Sequence, residues 1–279
     1  MITPSGVVAT PTLGETSDGG ACRWYMRDDQ NYPGAKAPVL LFLHGGGGDE
    51  TAFEYAGWNT LRNSLLEAGW AIVEGFNGGW GGPAGQARYL EMWDWVHDFI
   101  VPQELVILGQ SMGGIGAYNL AAQSRIADRH SGVIIYHGTT DLIKRYADHN
   151  RPQYGPLNKA FGVPGTTFQP ELFNPAAAPY DPMQFPYSAW AGKRVRQVIG
   201  AQDTSVAPEV HGLAWIDKYG DSTLETSVHI NDPGGHSPLP VDQRATFQWM
   251  QGLLAPPPPP PTPAPPLDHV FVAGEVIIL

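Results

Sequence analysis

Short, continuous apolar runs alternate with helix-period segments along this chain, and that alternation restricts the fold more than any other feature. Pro38-Val39-Leu40-Leu41-Phe42-Leu43 is apolar at every position and ends in glycines. A strand apolar on both sides must be covered on both faces, so the run predicts a buried parallel strand. Ala71-Ile72-Val73, Leu105-Val106-Ile107-Leu108, Gly132-Val133-Ile134-Ile135-Tyr136 and Val195-Arg196-Gln197-Val198-Ile199 repeat the pattern, and a further strand is expected near 224–230. Helical spacing separates them at 57–69, 86–99, 113–123, 207–219 and 239–253. Segments 7–13 and 22–26 read as an antiparallel entry hairpin. The order predicts an α/β fold with a mostly parallel central sheet and helices on both faces. Residues 139–190 break the alternation. They are rich in Pro, Tyr, Phe and Asn with weak periodicity, and read as an irregular cap over the carboxyl ends of the strands.

The body is expected to span 1–254. Residues 255–266, Ala-Pro-Pro-Pro-Pro-Pro-Pro-Thr-Pro-Ala-Pro-Pro, form a polyproline II spacer of roughly 35 Å at ~3.1 Å per residue. Residues 267–279 carry Val270-Phe271-Val272-Ala273 and Val276-Ile277-Ile278-Leu279. Thirteen residues make no core alone, so this tail is expected to dock on a protein partner or on a second copy.

Composition removes several classes of function. The net charge is −11, from 16 Lys and Arg against 27 Asp and Glu. An acidic surface repels phosphate backbones, so no nucleic-acid partner is expected. The single cysteine, Cys22, allows neither an intramolecular disulfide nor a cysteine metal cluster. No H-E-x-x-H zinc motif occurs. No run of 18 apolar residues spans a membrane. Met1-Ile2-Thr3-Pro4-Ser5-Gly6 lacks the basic and apolar regions of a secretory leader, which predicts synthesis as a soluble chain.

Gly109-Gln110-Ser111-Met112-Gly113 has the form G-x-S-x-G, entered from the apolar run 105–108 and left through a helical segment. That setting places a serine on a sharp strand-to-helix turn, with glycines where a Cβ would clash and the helix N-terminus aimed at a reacting oxygen. His44-Gly45-Gly46-Gly47-Gly48 follows another buried strand. No Gly-Lys-Ser/Thr follows and no G-x-G-x-x-G opens a helix, so an oxyanion loop fits better than a nucleotide loop. His44 reads as structural. Asp203, just past the strand at 195–199, is the candidate acid, with Asp141 its rival. His236, in the loop Asn231-Asp232-Pro233-Gly234-Gly235-His236-Ser237-Pro238, is the candidate base.

The order Ser111, Asp203, His236 is that of the α/β-hydrolases. The sequence resembles that superfamily, and within it the bacterial esterase branch that includes feruloyl-esterase-like and polyhydroxyalkanoate-depolymerase-like enzymes. The likeness spans residues 38–250. It implies an α/β-hydrolase fold and a serine carboxylic ester hydrolase with Ser111 as nucleophile, His236 as base and Asp203 as orienting acid. Backbone N–H groups of Gly46 and Met112 would form the oxyanion hole, with the choice among the loop glycines left open. An ester is the substrate, and neither a metal nor an organic cofactor is needed. Peptidase or thioesterase chemistry on the same residues is the alternative. A hydrolase-fold structural component docked through its tail, such as part of a phage particle, is another. Trp80, Gln110 and His137 are the expected substrate contacts, together with cap aromatics Tyr154, Phe161, Phe168, Phe185, Tyr187 and Trp190.

Overall fold

The computed structural model describes residues 1–75, 79–150, 152–231, 234–254, 270–272 and 275–277. Eight strands form one sheet: β1 (Thr12–Glu15), β2 (Ala21–Tyr25), β3 (Ala35–Leu43), β4 (Ala71–Gly75), β5 (Ile100–Gln110), β6 (His130–Tyr136), β7 (Arg194–Gly200) and β8 (Glu225–Asn231). Their order is β1-β2-β4-β3-β5-β6-β7-β8. The pairs β1·β2 and β2·β4 are antiparallel, and every pair from β4 to β8 is parallel.

Alternation along each strand divides the core in two. Val39, Leu41 and Leu43 of β3, with Leu105 and Ile107 of β5, face one layer. That layer holds α2 (Pro83–Val96), α3 (Gly113–Gln123) and α7 (Gly212–Tyr219). Leu40, Phe42, Val106 and Leu108 face the other, with α1 (Asn59–Glu67) and α8 (Pro240–Leu254). Each buried side chain of this size contributes about 1.5–3 kcal/mol, and a one-residue slip would invert the whole set. The two faces therefore fix the register that brings the strand ends level.

Several boundaries move from the sequence expectation. The entry hairpin is 12–15 with 21–25, because residues 7–9 only bridge back to the start of the chain, Val8 to Ile2. Helix α2 starts three residues early, with Pro83 in its first turn, where the missing N–H costs nothing. Helix α7 starts at Gly212, five residues late.

The cap expected to be irregular is largely helical. It contains α4 (Leu142–Tyr146), α5 (Tyr154–Ala160) and α6 (Pro170–Ala177), followed by three short 3-10 turns between Ala178 and Ala189. These helices have five to eight residues, too short for periodicity to show. They are held by aromatic packing: Tyr146 stacks on Phe173 at 3.8 Å with an interplanar angle of 9°. Its hydroxyl also donates to Asn158 at 2.9 Å and accepts from the Gln169 N–H at 2.8 Å. The spacer 255–266 lies outside the described residues. Within the tail, β9 (Val270–Val272) and β10 (Glu275–Ile277) pair antiparallel. Among the described residues, no helix is long and apolar enough to cross a membrane.

Candidate active site

Ser111 occupies the turn between β5 and α3 at φ +51°. A non-glycine residue there is strained by roughly 1–3 kcal/mol and must be held by its surroundings. Its N–H donates to the Tyr136 carbonyl at 2.9 Å, and its own carbonyl accepts from Gly114 and Thr139, both at 3.0 Å. The flanking glycines are required by contact. A Cβ on Gly113 would lie 2.1 Å from the Leu43 carbonyl oxygen, and one on Gly109 would lie 2.5 Å from the Gly113 carbonyl oxygen. The turn is thus pressed against the end of β3. The loop 44–48 passes directly beside Ser111, since a Cβ on Gly45 would stand 3.1 Å from the serine Cβ.

His236 arrives from the loop between β8 and α8. A Cβ on Gly200 would meet the Gly235 carbonyl oxygen at 2.1 Å, so Gly234 and Gly235 lie directly against the end of β7. Gln202 N–H donates to the Gly234 carbonyl at 2.9 Å. The far side is anchored by the fully buried carboxylate of Asp242, which accepts from His229 at 2.8 Å and from Asn231 at 3.0 Å. The result is a continuous hydrogen-bonded chain. Ser111 Oγ lies 2.9 Å from His236 Nε2, and His236 Nδ1 lies 2.7 Å from Asp203 Oδ2. The acidic partner fixes the proton on Nδ1, leaving Nε2 to accept from the serine hydroxyl.

Asp203 is 4% exposed. Burial pushes its carboxyl up, but hydrogen bonds from His236 and from the Val206 and Ser205 N–H groups outweigh it. The pKa ends below the ordinary carboxylate value. Its rival Asp141 is a helix cap instead: it accepts the Lys144 N–H at 2.8 Å at the start of α4. His44 is buried, which lowers its pKa, and its Nδ1 lies 2.7 Å from the Gly45 carbonyl oxygen, a structural role.

A cavity of about 760 Å³ opens in front of Ser111, lined in part by His236, Gly46, Gly47, Met112 and Trp80. Trp80 is itself strained, at φ +48°, and packs under the cap. Two expected contacts do not line this cavity. Gln110 instead flanks Gly45. His137 lies behind His236, ring centroids 6.0 Å apart, and its Nδ1 accepts the Gly200 N–H at 2.9 Å. Burial, then the neighbouring His236, pushes its pKa down to about 4, so it is a neutral bracket under the site. The cap aromatics are corrected as well. None of the six lines the cavity. Phe161 packs within the cap, while Phe185 and Trp190 belong to the main core. Tyr187 is 57% exposed.

Sequence reasoning missed Arg145, Lys159, Ser205 and Thr139, which do line the cavity. Ser205 stands two residues after Asp203 and was within reach of the same argument. Arg145 carried no local signal.

No protein-family model matches the chain. It is 24% identical over 240 residues to an ethyl acetate hydrolase of Pseudomonas putida, covering 81% of this chain and 70% of that one. In structure it is similar to Est1E from Butyrivibrio proteoclasticus, solved with ferulic acid bound. The TM-score is 0.62 at 17% identity, over 87% of this chain and 99% of the other. It is also similar to a prolyl endopeptidase, with TM-score 0.66 at 16% identity, over 91% of this chain and 39% of that one. At these identities the structural likenesses speak for the fold.

Proposed function

We propose that this chain, an α/β-hydrolase by fold, is a serine carboxylic ester hydrolase working through an acyl-enzyme on Ser111. One observation carries the reading: the Ser111–His236–Asp203 hydrogen-bonded chain ends at a cavity large enough for an ester. His236 takes the Ser111 proton as Oγ attacks the ester carbonyl. Asp203 holds the imidazole in the required tautomer and stabilises the imidazolium. Met112, at the start of α3, and Gly46 or Gly47 of the adjacent loop offer backbone N–H groups to the tetrahedral oxyanion. One such donor is worth ~10²–10³ in rate. His236 returns the proton to the leaving alkoxide, and water then cleaves the acyl-enzyme by the same steps. The likeness to an ethyl acetate hydrolase supports an ester over other acyl compounds.

Peptide hydrolysis by the same residues is the second reading, since a serine, histidine and aspartate arranged in this way can also attack an amide carbonyl. Hydrolysis of 4-nitrophenyl esters from C2 to C16, beside anilide and thioester substrates, separates the two. Wild type is expected to cleave esters and Ser111→Ala to lose the activity. Turnover confined to anilides overturns the ester reading. For residues 267–279 the docking role stands as a proposal, supported by the apolar tail and its paired strands. Size-exclusion chromatography of full-length and 1–254 protein tests self-association, and identical monomers argue against it.

A further inference from the structure

Among the described residues, the charged side chains that line the cavity in front of Ser111 have the opposite sign to the chain's net charge. The chain carries net charge −11. Yet among the described residues, the permanently charged side chains lining the cavity are Arg88, Arg145 and Lys159, and no Asp or Glu lines it. Drawn from the chain's own 16 basic and 27 acidic residues, three of three basic would arise roughly one time in twenty, and a cleft of one sign focuses its field on whatever enters.

The arginines are built into the wall. Arg145 projects from the short helix α4 with a side chain only 6% exposed, and its Nη1 donates to Asp148 at 3.0 Å. Its guanidinium lies 5.7 Å from the centroid of the strained Trp80 ring, a contact that fixes the plane of the fork. Arg88 pairs with Asp18 at 2.5 Å. Neither Asp148 nor Asp18 lines the cavity. The two carboxylates paired with the arginines thus lie outside the lining, and the charged groups that the described residues present to the cavity are cationic. Lys159, in the last turn of α5, adds an exposed ammonium to the same wall. A buried, oriented guanidinium is a costly way to line a site for a purely apolar acyl chain. It is the usual partner for a planar carboxylate, through short charge-assisted hydrogen bonds.

We propose that the ester hydrolysed here carries a carboxylate remote from the scissile bond, and that Arg145 and Lys159 bind it. The proposal rests on the serine-hydrolase reading of the same site. It makes Arg145 and Lys159 specificity residues that set substrate class without taking part in bond breaking.

Two matched pairs of substrates test it. The mono-4-nitrophenyl ester of adipic acid against 4-nitrophenyl hexanoate places the charge on the acyl side. Acetoxybenzoate, substituted at the 4-position, against its methyl ester places it on the alcohol side. In one pair, wild type is expected to favour the anionic ester in kcat/KM by about tenfold or more. That ratio should fall about tenfold in Arg145→Gln and by a smaller factor in Lys159→Gln, and should shrink as salt is raised. Equal or better turnover of the neutral ester in both pairs overturns the proposal. So does a ratio unmoved by either substitution. If Arg145→Gln fails to fold, Lys159→Gln, on an exposed helix end, gives the same readout. If no ester is cleaved and a fluorophosphonate probe leaves Ser111 unlabelled, the serine-hydrolase reading has failed. Calorimetry of adipate with Ser111→Ala protein then judges the anion site by itself: binding lost on Arg145→Gln supports it, and no binding overturns it.

Discussion

The floor and the roof of the cavity are built on different principles. The floor is made of turns at the ends of β3, β5, β7 and the loop after β8, and its geometry is enforced by backbone-on-backbone contact. Gly113 lies against Leu43, and Gly200 lies against Gly235, where a Cβ would come within 2.1 Å of a carbonyl oxygen. The roof, 142–190, is short helices held by side chains, with the buried Tyr146 and Phe173 rings at its centre and the exposed Phe168 ring stacked on Tyr146 from outside. A floor of this kind tolerates almost no change in shape. A roof of this kind can be re-tailored by side-chain substitution while the machinery below stays in register. The difference suggests where reaction type and substrate choice reside: the first in the floor, the second in the roof that contributes Arg145 and Lys159.

The largest expected difference lies in chemistry. Asp203→Asn should leave the fold intact and lower kcat by roughly 10⁴, because the imidazole is offered the wrong tautomer. Steady-state kinetics beside circular dichroism checks it, and a loss under tenfold would break the assignment of the acid. Next comes backbone fit. Gly113→Ala must displace the Leu43 carbonyl and is expected to cost on the order of 3 kcal/mol or more, since such a clash has no side chain to relieve it. In the roof, Gly162→Ala meets open space at φ +71° and should cost only about 1 kcal/mol from the left-handed backbone. Urea unfolding of both variants gives the comparison directly, and equal losses would mean that the floor is not the rigid half.

The same contrast explains what the sequence made legible. Ser111, Asp203 and His236, which the structure brings into one hydrogen-bonded chain, were legible as candidates because each sits in a turn whose steric needs are local: glycines two residues from the serine, a buried strand before it, glycines beside the histidine. The parallel sheet was legible for the same reason, since a strand covered on both faces must be apolar throughout. The roof was not legible. Tyr146 meets Phe173 across 27 positions of sequence, and a five-residue helix such as α4 shows no period. Arg145 lines the cavity beside Trp80, a neighbour 65 positions away in sequence. His137, expected as a substrate contact, was misplaced because a strand-end position does not reveal which way the chain turns next. At φ +47° it turns beneath the site instead of into it.

Acid should affect the floor through two buried histidines. Burial depresses the pKa of His137 to about 4, aided by His236, and that of His211 to about 4, aided by Arg145 and Lys144. Both are 4% exposed. An unfolded histidine takes its proton near pH 6.5 and these do not, so the unfolded state binds more protons between the two values. Their contribution to stability is therefore complete above about pH 6.5 and is lost as pH falls towards 4, by on the order of 3 kcal/mol for each histidine. Glu74 and Asp181, whose carboxyls burial raises to about 7 and about 6, pull the profile the other way over the same range, so the reading is a difference: His211→Asn should remove about one proton from the slope of the unfolding free energy measured from pH 7.5 to 4.5. A slope unchanged by His211→Asn would mean that this histidine is protonated in the folded protein.

The smallest expected effect is the one that isolates the roof. The Tyr146 hydroxyl reaches Asn158 and Gln169, tying α4 to α5 and to the start of α6. Tyr146→Phe keeps the ring stack on Phe173 and removes only that tie. It should cost about 1–2 kcal/mol, mostly from leaving a buried partner unpaired. Because the floor shares none of these bonds, kcat on a small neutral ester should change by less than about threefold. Discrimination between charged and neutral esters should weaken further, since α4 carries Arg145. Limited proteolysis should cut 147–170 faster while the sheet resists. If kcat and discrimination fell together, the roof would be setting the position of His236 as well as the choice of substrate, and the division between the two halves would not hold.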